Sequence, residues 1–323
     1  MGLLLATAIS LGPYRLGPGD LLAFLIAKAM GGASPLSVPA EAVILQIRLP
    51  RVLAATAVGA ALAASGAAYQ SLFRNPLVSP DILGVSAGAA FGAVIGIFLS
   101  LPVLAIEAAS FAGGLAAVII VYVIAAAIRG RDAVLVLVLA GVVIGALFGA
   151  GVGLLKYLAD PYNQLPAITF WLLGSLAAAN LRDLADLLPA VAIGLVPLAL
   201  LRWRVDVMTL GEEEAAALGI NTRTLRVAVM AGATLMTSAA VAASGIIGWV
   251  GLVVPHLARL VVGPAFARLL LVSVLFGAGY LLAVDTLART IGNVELPLGV
   301  LTAALGTPVF LWLLAFSRRS AWS

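Results

Sequence analysis

The chain has 323 residues, 63% of them hydrophobic and only 10% charged, and a mean hydropathy of +1.18. No soluble globular class carries that balance, so the sequence reads as an all-α integral membrane protein, and it lacks the alternating ten-residue segments of a membrane barrel. The net charge of +4 comes from arginines at span ends, which mark topology rather than nucleic-acid binding, and the absence of cysteine excludes disulfides and thiol-held metals.

Gly2 to Leu11 is apolar and is broken by Gly12-Pro13. Ten helical residues cover about 15 Å, half of a ~30 Å hydrocarbon core, so this reads as a first span that is truncated or starts upstream of Met1. Leu21 to Met30 is a short amphipathic piece, and Gly31 to Pro39 a loop. A span opens at Arg48-Leu49-Pro50-Arg51 and runs to Phe73, and a polar turn from Arg74 to Asp81 follows it. Further spans run from Ile82 to Leu99, Pro102 to Ala127 (closed by Arg129-Gly130-Arg131-Asp132) and Val134 to Leu158. Ile168 to Leu176 is too short to cross and reads as a half-helix that returns to the surface at Asn180 to Asp183. The remaining spans are Leu184–Leu201, Leu225–Ala243, Ile246–Val262, Leu269–Leu287 and Leu296–Phe316, ending in the tail Arg318-Arg319. With the first counted, this gives ten spans in a single transmembrane domain over residues 1–323.

Placing both termini in the cytoplasm puts eleven Lys and Arg residues on that side against seven outside, including Arg15, Lys28 and Lys156. That orientation also makes the longest polar interruption, Arg202 to Arg226, cytoplasmic. Its middle, Gly211 to Asn221, reads as a short helix. Glu212, Glu213 and Glu214 suit the positive end of the helix dipole, and Gly219 is a natural stop. A charged helix between two spans has no core of its own to join, which points to docking on another protein. The flanking Arg202, Arg204 and Arg226 are explained as topology anchors.

Two glycine stripes at spacing four, Gly84-Gly88-Gly92-Gly96 and Gly141-Gly145-Gly149-Gly153, each lie along one helical face. Close helix packing explains such stripes, and so does a smooth pathway wall. Gly84-Val85-Ser86-Ala87-Gly88 fits the hydrolase nucleophile pattern, but it follows a proline turn rather than a strand, and the sole histidine, His256, lies in another span. One histidine cannot build a metal site. No P-loop is present, since neither Lys28 nor Lys156 has the glycine-rich context, so any ATP must be bound by another subunit. A carrier driven by ion gradients would need carboxylates near mid-bilayer, whereas the candidates Glu107 and Asp285 fall near span ends, where Asp285 can pair with Arg289. Arg48 and Arg51, three residues apart, either snorkel at the interface or form a basic rim that meets acidic groups of an external partner.

Several blocks together resemble the permease of type II ABC importers, the iron-chelate, haem and cobalamin uptake family. They are Arg48-Leu49-Pro50-Arg51, Gln70 to Leu77, Ser79 to Ala89, Trp171-Leu172-Leu173-Gly174-Ser175-Leu176, Ala217-Leu218-Gly219-Ile220-Asn221, Gly248 to Arg259, Glu295 to Gly299 and Gly306-Thr307-Pro308. The resemblance implies a homodimer of ten-span subunits in a bacterial or archaeal cytoplasmic membrane. It implies two cytoplasmic ATP-binding subunits that carry ATP and Mg, an extracytoplasmic substrate-binding protein, and no cofactor on this chain. It assigns ATPase coupling to Gly211–Asn221 and binding-protein docking to Arg48, Arg51 and Arg289. The pathway elements would be the Val134–Leu158 span with its glycine face, the half-helix bearing Trp171 with Gly174 and Ser175 after it, and the last span. The implied cargo is a ferric siderophore or other iron complex, with haem, cobalamin or molybdate as alternatives.

Overall fold

The computed structural model describes residues 1–12, 14, 16–128, 133–292 and 294–316. Arg15, Arg129, Gly130, Arg131, Asp132, Arg318 and Arg319, all used above as topology signals, lie outside the described residues. Among the described residues every regular element is a helix. In chain order these are α1 (Gly2–Ser10), α2 (Pro18–Ala29), α3 (Val38–Ala42), α4 (Leu49–Leu72), α5 (Val85–Phe98), α6 (Val103–Ala127), α7 (Ala133–Leu158), α8 (Gln164–Leu173), α9 (Leu181–Leu200), α10 (Arg202–Met208), α11 (Glu212–Ala217), α12 (Thr222–Ser244), α13 (Val250–Val262), α14 (Phe266–Ala288) and α15 (Leu298–Phe316). A 3₁₀ turn, Pro80–Leu83, precedes α5.

Six of the ten expected spans are helices long and apolar enough to cross by themselves, and α5, α13 and α15 are shorter apolar helices. The remaining expected span, the first, is α1, which has nine residues. Backbone turns that a helix cannot absorb set the shorter lengths: Gly84 has φ 78° before α5, and Gly245 and Trp249 have φ 68° and 71° before α13. The second span begins earlier than the sequence suggested. α3, a π-helical turn (Val43–Arg48) and α4 form one continuous helix from Val38 to Leu72. The wider turn makes room for Pro50, whose ring would otherwise press on the carbonyl four residues back. The half-helix also shifts, to Gln164–Leu173, so Ser175 and Leu176 lie beyond it.

At the centre stands α4, most of it buried, packed on α14, α12 and α13; α5 and α6 form a second tight pair. Between lipid-embedded helices there is no water to expel, so van der Waals contact and small residues hold the bundle. A Cβ on Gly66 would collide with the Gly251 carbonyl of α13, and one on Gly59 with the Gly277 carbonyl of α14. Two polar groups on α4 find partners within this core. Ser65 Oγ donates to the Ala61 and Ala233 carbonyls, and the Tyr69 and Thr234 hydroxyls lie 2.9 Å apart.

Replacing Gly66 by Val is expected to cost about 1–3 kcal/mol by overpacking α4 against α13. Gly19→Ala, on α2 with open space around it, should leave the melting temperature in detergent unchanged. Equal melting temperatures for wild type and Gly66→Val would contradict the close approach.

Candidate functional site: a protruding acidic helix and a buried ionic cluster

The polar stretch forms two short helices, α10 and α11, joined by Thr209 to Gly211. Gly211, at φ 146°, is the N-cap of α11, and a Cβ there would collide with the Glu214 carboxylate that folds back over it. The other end closes as a Schellman turn. Gly219 N–H donates to Ala216 O at 2.9 Å and Ile220 N–H to Ala215 O at 3.0 Å, with Gly219 at φ 79° and Ala215 and Ile220 buried together. Asn221 then caps α12 by accepting from Thr224 N–H at 3.0 Å. Glu212, Glu213, Glu214, Ala217 and Leu218 remain exposed, although Glu212 also pairs with Arg226 of α12. Leu218, 60% exposed, stands with the exposed Trp203 and Leu210 around this acidic helix. Acidic groups beside exposed large apolar side chains on a short helix closed by a Schellman turn suit a protein contact.

At the opposite end of the bundle, α4 and α14 bring together a set of charges that the sequence keeps far apart. Arg51 is 7% exposed and Asp285 fully buried. Arg51 Nε donates to Asp285 Oδ1 and Oδ2 at 2.9 and 3.1 Å, and its Nη2 to Oδ1 at 2.8 Å. The other edge of the guanidinium takes Glu295, Nη1 to Oε2 at 3.0 Å and Nη2 to Oε1 at 2.6 Å. Arg289 Nε also lies 3.5 Å from Asp285, the i,i+4 pair that the spacing suggested.

Arg48 and Arg289 serve a second purpose. Arg48 donates to the carbonyls of Ile9 at 2.5 Å, Ser10 at 2.9 Å and Tyr14, while Arg289 donates to those of Leu11 at 2.8 Å and Ala8. Two cations thus cap the negative C-terminal end of α1. The three arginines, with Glu295, Tyr14, Val43, Ile47 and Gly292, line a cavity of about 410 Å³. Both sequence readings for Arg48 and Arg51, interfacial snorkelling or a basic rim, keep their head groups at the surface; the structure turns both inward, with Arg48 only 3% exposed. Their acceptors are backbone carbonyls and carboxylates more than thirty positions away, which no local spacing reveals.

The expected pathway residues divide. Gly141 packs against the Ile82 carbonyl, and Gly145 stands 3.8 Å, by its would-be Cβ, from Gly84. Gly149 and Gly153 face open space within this chain, on a helix that also exposes Leu139, Val142, Val143, Leu147 and Leu154. The other stripe is packing surface: Gly88 and Gly92 meet the α6 backbone, and Gly96 meets Ile106. Gly174, at φ 73°, ends α8 and accepts from Leu298 N–H at 3.0 Å, while Ser175 N–H donates to Ser244 O at 2.8 Å. These bonds tie the half-helix to the end of α12 and the start of α15. Trp171 packs in the small cluster around Ile168. Ser86 donates to Asp81, a local turn bond rather than a pairing with His256. No group of three or more His, Cys, Asp or Glu among the described residues is arranged to hold a metal ion.

Breaking the buried pair from one side is the costly change, because it strands the other charge. Arg51→Met is expected to lose about 3–5 kcal/mol. Adding Asp285→Leu to it should recover most of that loss, while Glu295→Gln, at a part-exposed site, should cost far less. Thermal melting of the purified variants in detergent checks the order; a double variant as unstable as Arg51→Met would refute the pairing.

Comparison with known proteins agrees with this architecture. The FecCD transport family matches residues 1–316. The molybdate import system permease of Haemophilus influenzae is 39% identical over 311 residues, covering 95% of this chain and 91% of the relative. An iron chelatin transport system permease of Helicobacter pylori (strain 26695) is 42% identical over 276 residues, 85% of this chain and 83% of its own length. Among solved structures, a metal-chelate type ABC transporter in an inward-facing conformation superposes with a TM-score of 0.82 at 37% identity, covering 92% of this chain and 97% of the other. The chain is therefore a multi-pass membrane protein and a transport subunit, and it belongs to the FecCD transport family.

Proposed function

We propose that this chain is the membrane-spanning half of an ATP-driven importer, paired with a second copy of itself. Two ATPase subunits on the α11 side would supply ATP and Mg, since the sequence has no P-loop. The observation that carries this reading is α11: closed by a Schellman turn at its C-terminus, exposing three glutamates and Leu218, and packed on the bundle mainly through α10 and α12. A helix so built moves as a unit when a partner pushes it. The positive-inside balance supports placing that side, and both termini, in the cytoplasm of a bacterial or archaeal cell.

The opposite end would receive an extracytoplasmic binding protein. Three arginines against Asp285 and Glu295 give the cluster one net positive charge, which favours an acidic partner surface. The open faces of α7 and α15 are the surfaces that fit a second subunit, with the pathway between them. The exposed apolar face of α7 from Leu135 to Leu154 carries no charge, suiting a wide, weakly binding wall for a bulky cargo. The cargo we assign is an iron chelate, the class printed for the Helicobacter relative; the Haemophilus relative points to molybdate as the second reading.

Replacing Glu212, Glu213 and Glu214 together by Ala is expected to abolish most of the substrate stimulation of ATP hydrolysis while the chain still folds. Full stimulation in the triple variant, read as phosphate release from the reconstituted complex, would remove α11 from the coupling.

A further inference from the structure

Helix α14 runs between the two sites, and a carboxylate holds each of its ends. At its start, the carboxylate of Asp206 on α10 accepts from the Phe266 N–H at 2.5 Å. The local sequence provides no such group: the N-cap is Ala265, and the first turn has no acidic residue. Asp206 therefore supplies the missing cap from another helix, and its charge meets the positive end of the α14 dipole. At the far end, Asp285 holds Arg51 of α4 and lies beside Arg289.

Mechanical continuity runs through the same helix. Only Thr209 to Gly211 separate α10 from α11. α10 touches α14 and α4 as well as α11. At Gly59 and Gly277 the backbones of α4 and α14 meet directly, so close packing couples these two helices into one body. A displacement of that body at its far end must alter how Arg48 and Arg289 grip α1, and with it the cavity they line.

We propose that Asp206 is a positioning residue that passes displacement of α11 into α14, so that α14 reports the state of the ATPase-facing segment to the ionic cluster about 35 Å away. This inference rests on the importer reading above and adds a route to it.

The absence of native cysteine permits a clean test. Ile47, exposed and lining the far cavity, is replaced by Cys, and its rate of labelling by a polar maleimide is measured in the permease–ATPase complex in nanodiscs, nucleotide-free and trapped with ATP and vanadate. The rate is expected to differ about fivefold or more between the two states, the range of ordinary site-to-site coupling. Asp206→Ala should bring the two rates together, and Asp206→Asn, which keeps the accepting oxygen, should restore the difference. If Asp206→Ala does not assemble, Asp206→Ser, too short to reach the Phe266 N–H, takes its place with the same outcomes. A nucleotide-dependent difference that survives in the Ala or Ser variant overturns the role of Asp206. Equal rates in the Asp206 background overturn the α14 route, even where ATP-driven uptake by the same complex upholds the importer reading.

Discussion

The structure depends on how closely helix backbones approach α4. Gly59 and Gly66 let the carbonyls of α14 and α13 sit where side chains would otherwise stand, and most of α4 is buried as a result. In lipid this contact is a main source of cohesion, because helix association expels no water. Once α4 is fixed between α12, α13 and α14, its ends fix the rest. Arg51 at one end meets Asp285 of α14, and the turn after Leu72 leads into the α5–α6 pair.

The ionic cluster is what that geometry makes necessary. A guanidinium with almost no access to solvent is tolerable only if its donors are met, and Arg51 has a carboxylate on each side. The same principle explains Arg48 and Arg289. Their donors satisfy carbonyls at the end of α1, a helix too short to be held by its own packing across the bilayer. Charge at this end of the bundle thus stabilises the fold, and the cavity lined by the three arginines and the part-exposed Glu295 is the part of the cluster open to a partner.

Much of this was legible in the sequence, and the remainder failed for identifiable reasons. The long apolar runs located the six self-sufficient spans, and Gly219 marked the end of α11 within a residue or two, because both signals are local. The α3–α4 continuity was missed because Pro50 reads as a start signal unless a π turn is anticipated. The burial of Arg51 is not legible because Asp285 and Glu295 are more than 230 positions away, and that of Arg48 because its acceptors are backbone carbonyls more than thirty positions away, which have no sequence signature. Asp206 was visible as a charge in a polar stretch, but its partner is a backbone N–H, which has no sequence signature.

A permease with an exposed acidic helix on one side, an ionic cluster on the other and no P-loop in its sequence should be inert alone. The most direct test is uptake of a radiolabelled ferric siderophore into proteoliposomes containing the permease with and without its ATPase, the binding protein being added outside. The account predicts uptake only when the ATPase and internal ATP are both present, unaffected by collapsing proton and sodium gradients. Uptake by the permease alone, driven by an ion gradient, would contradict it.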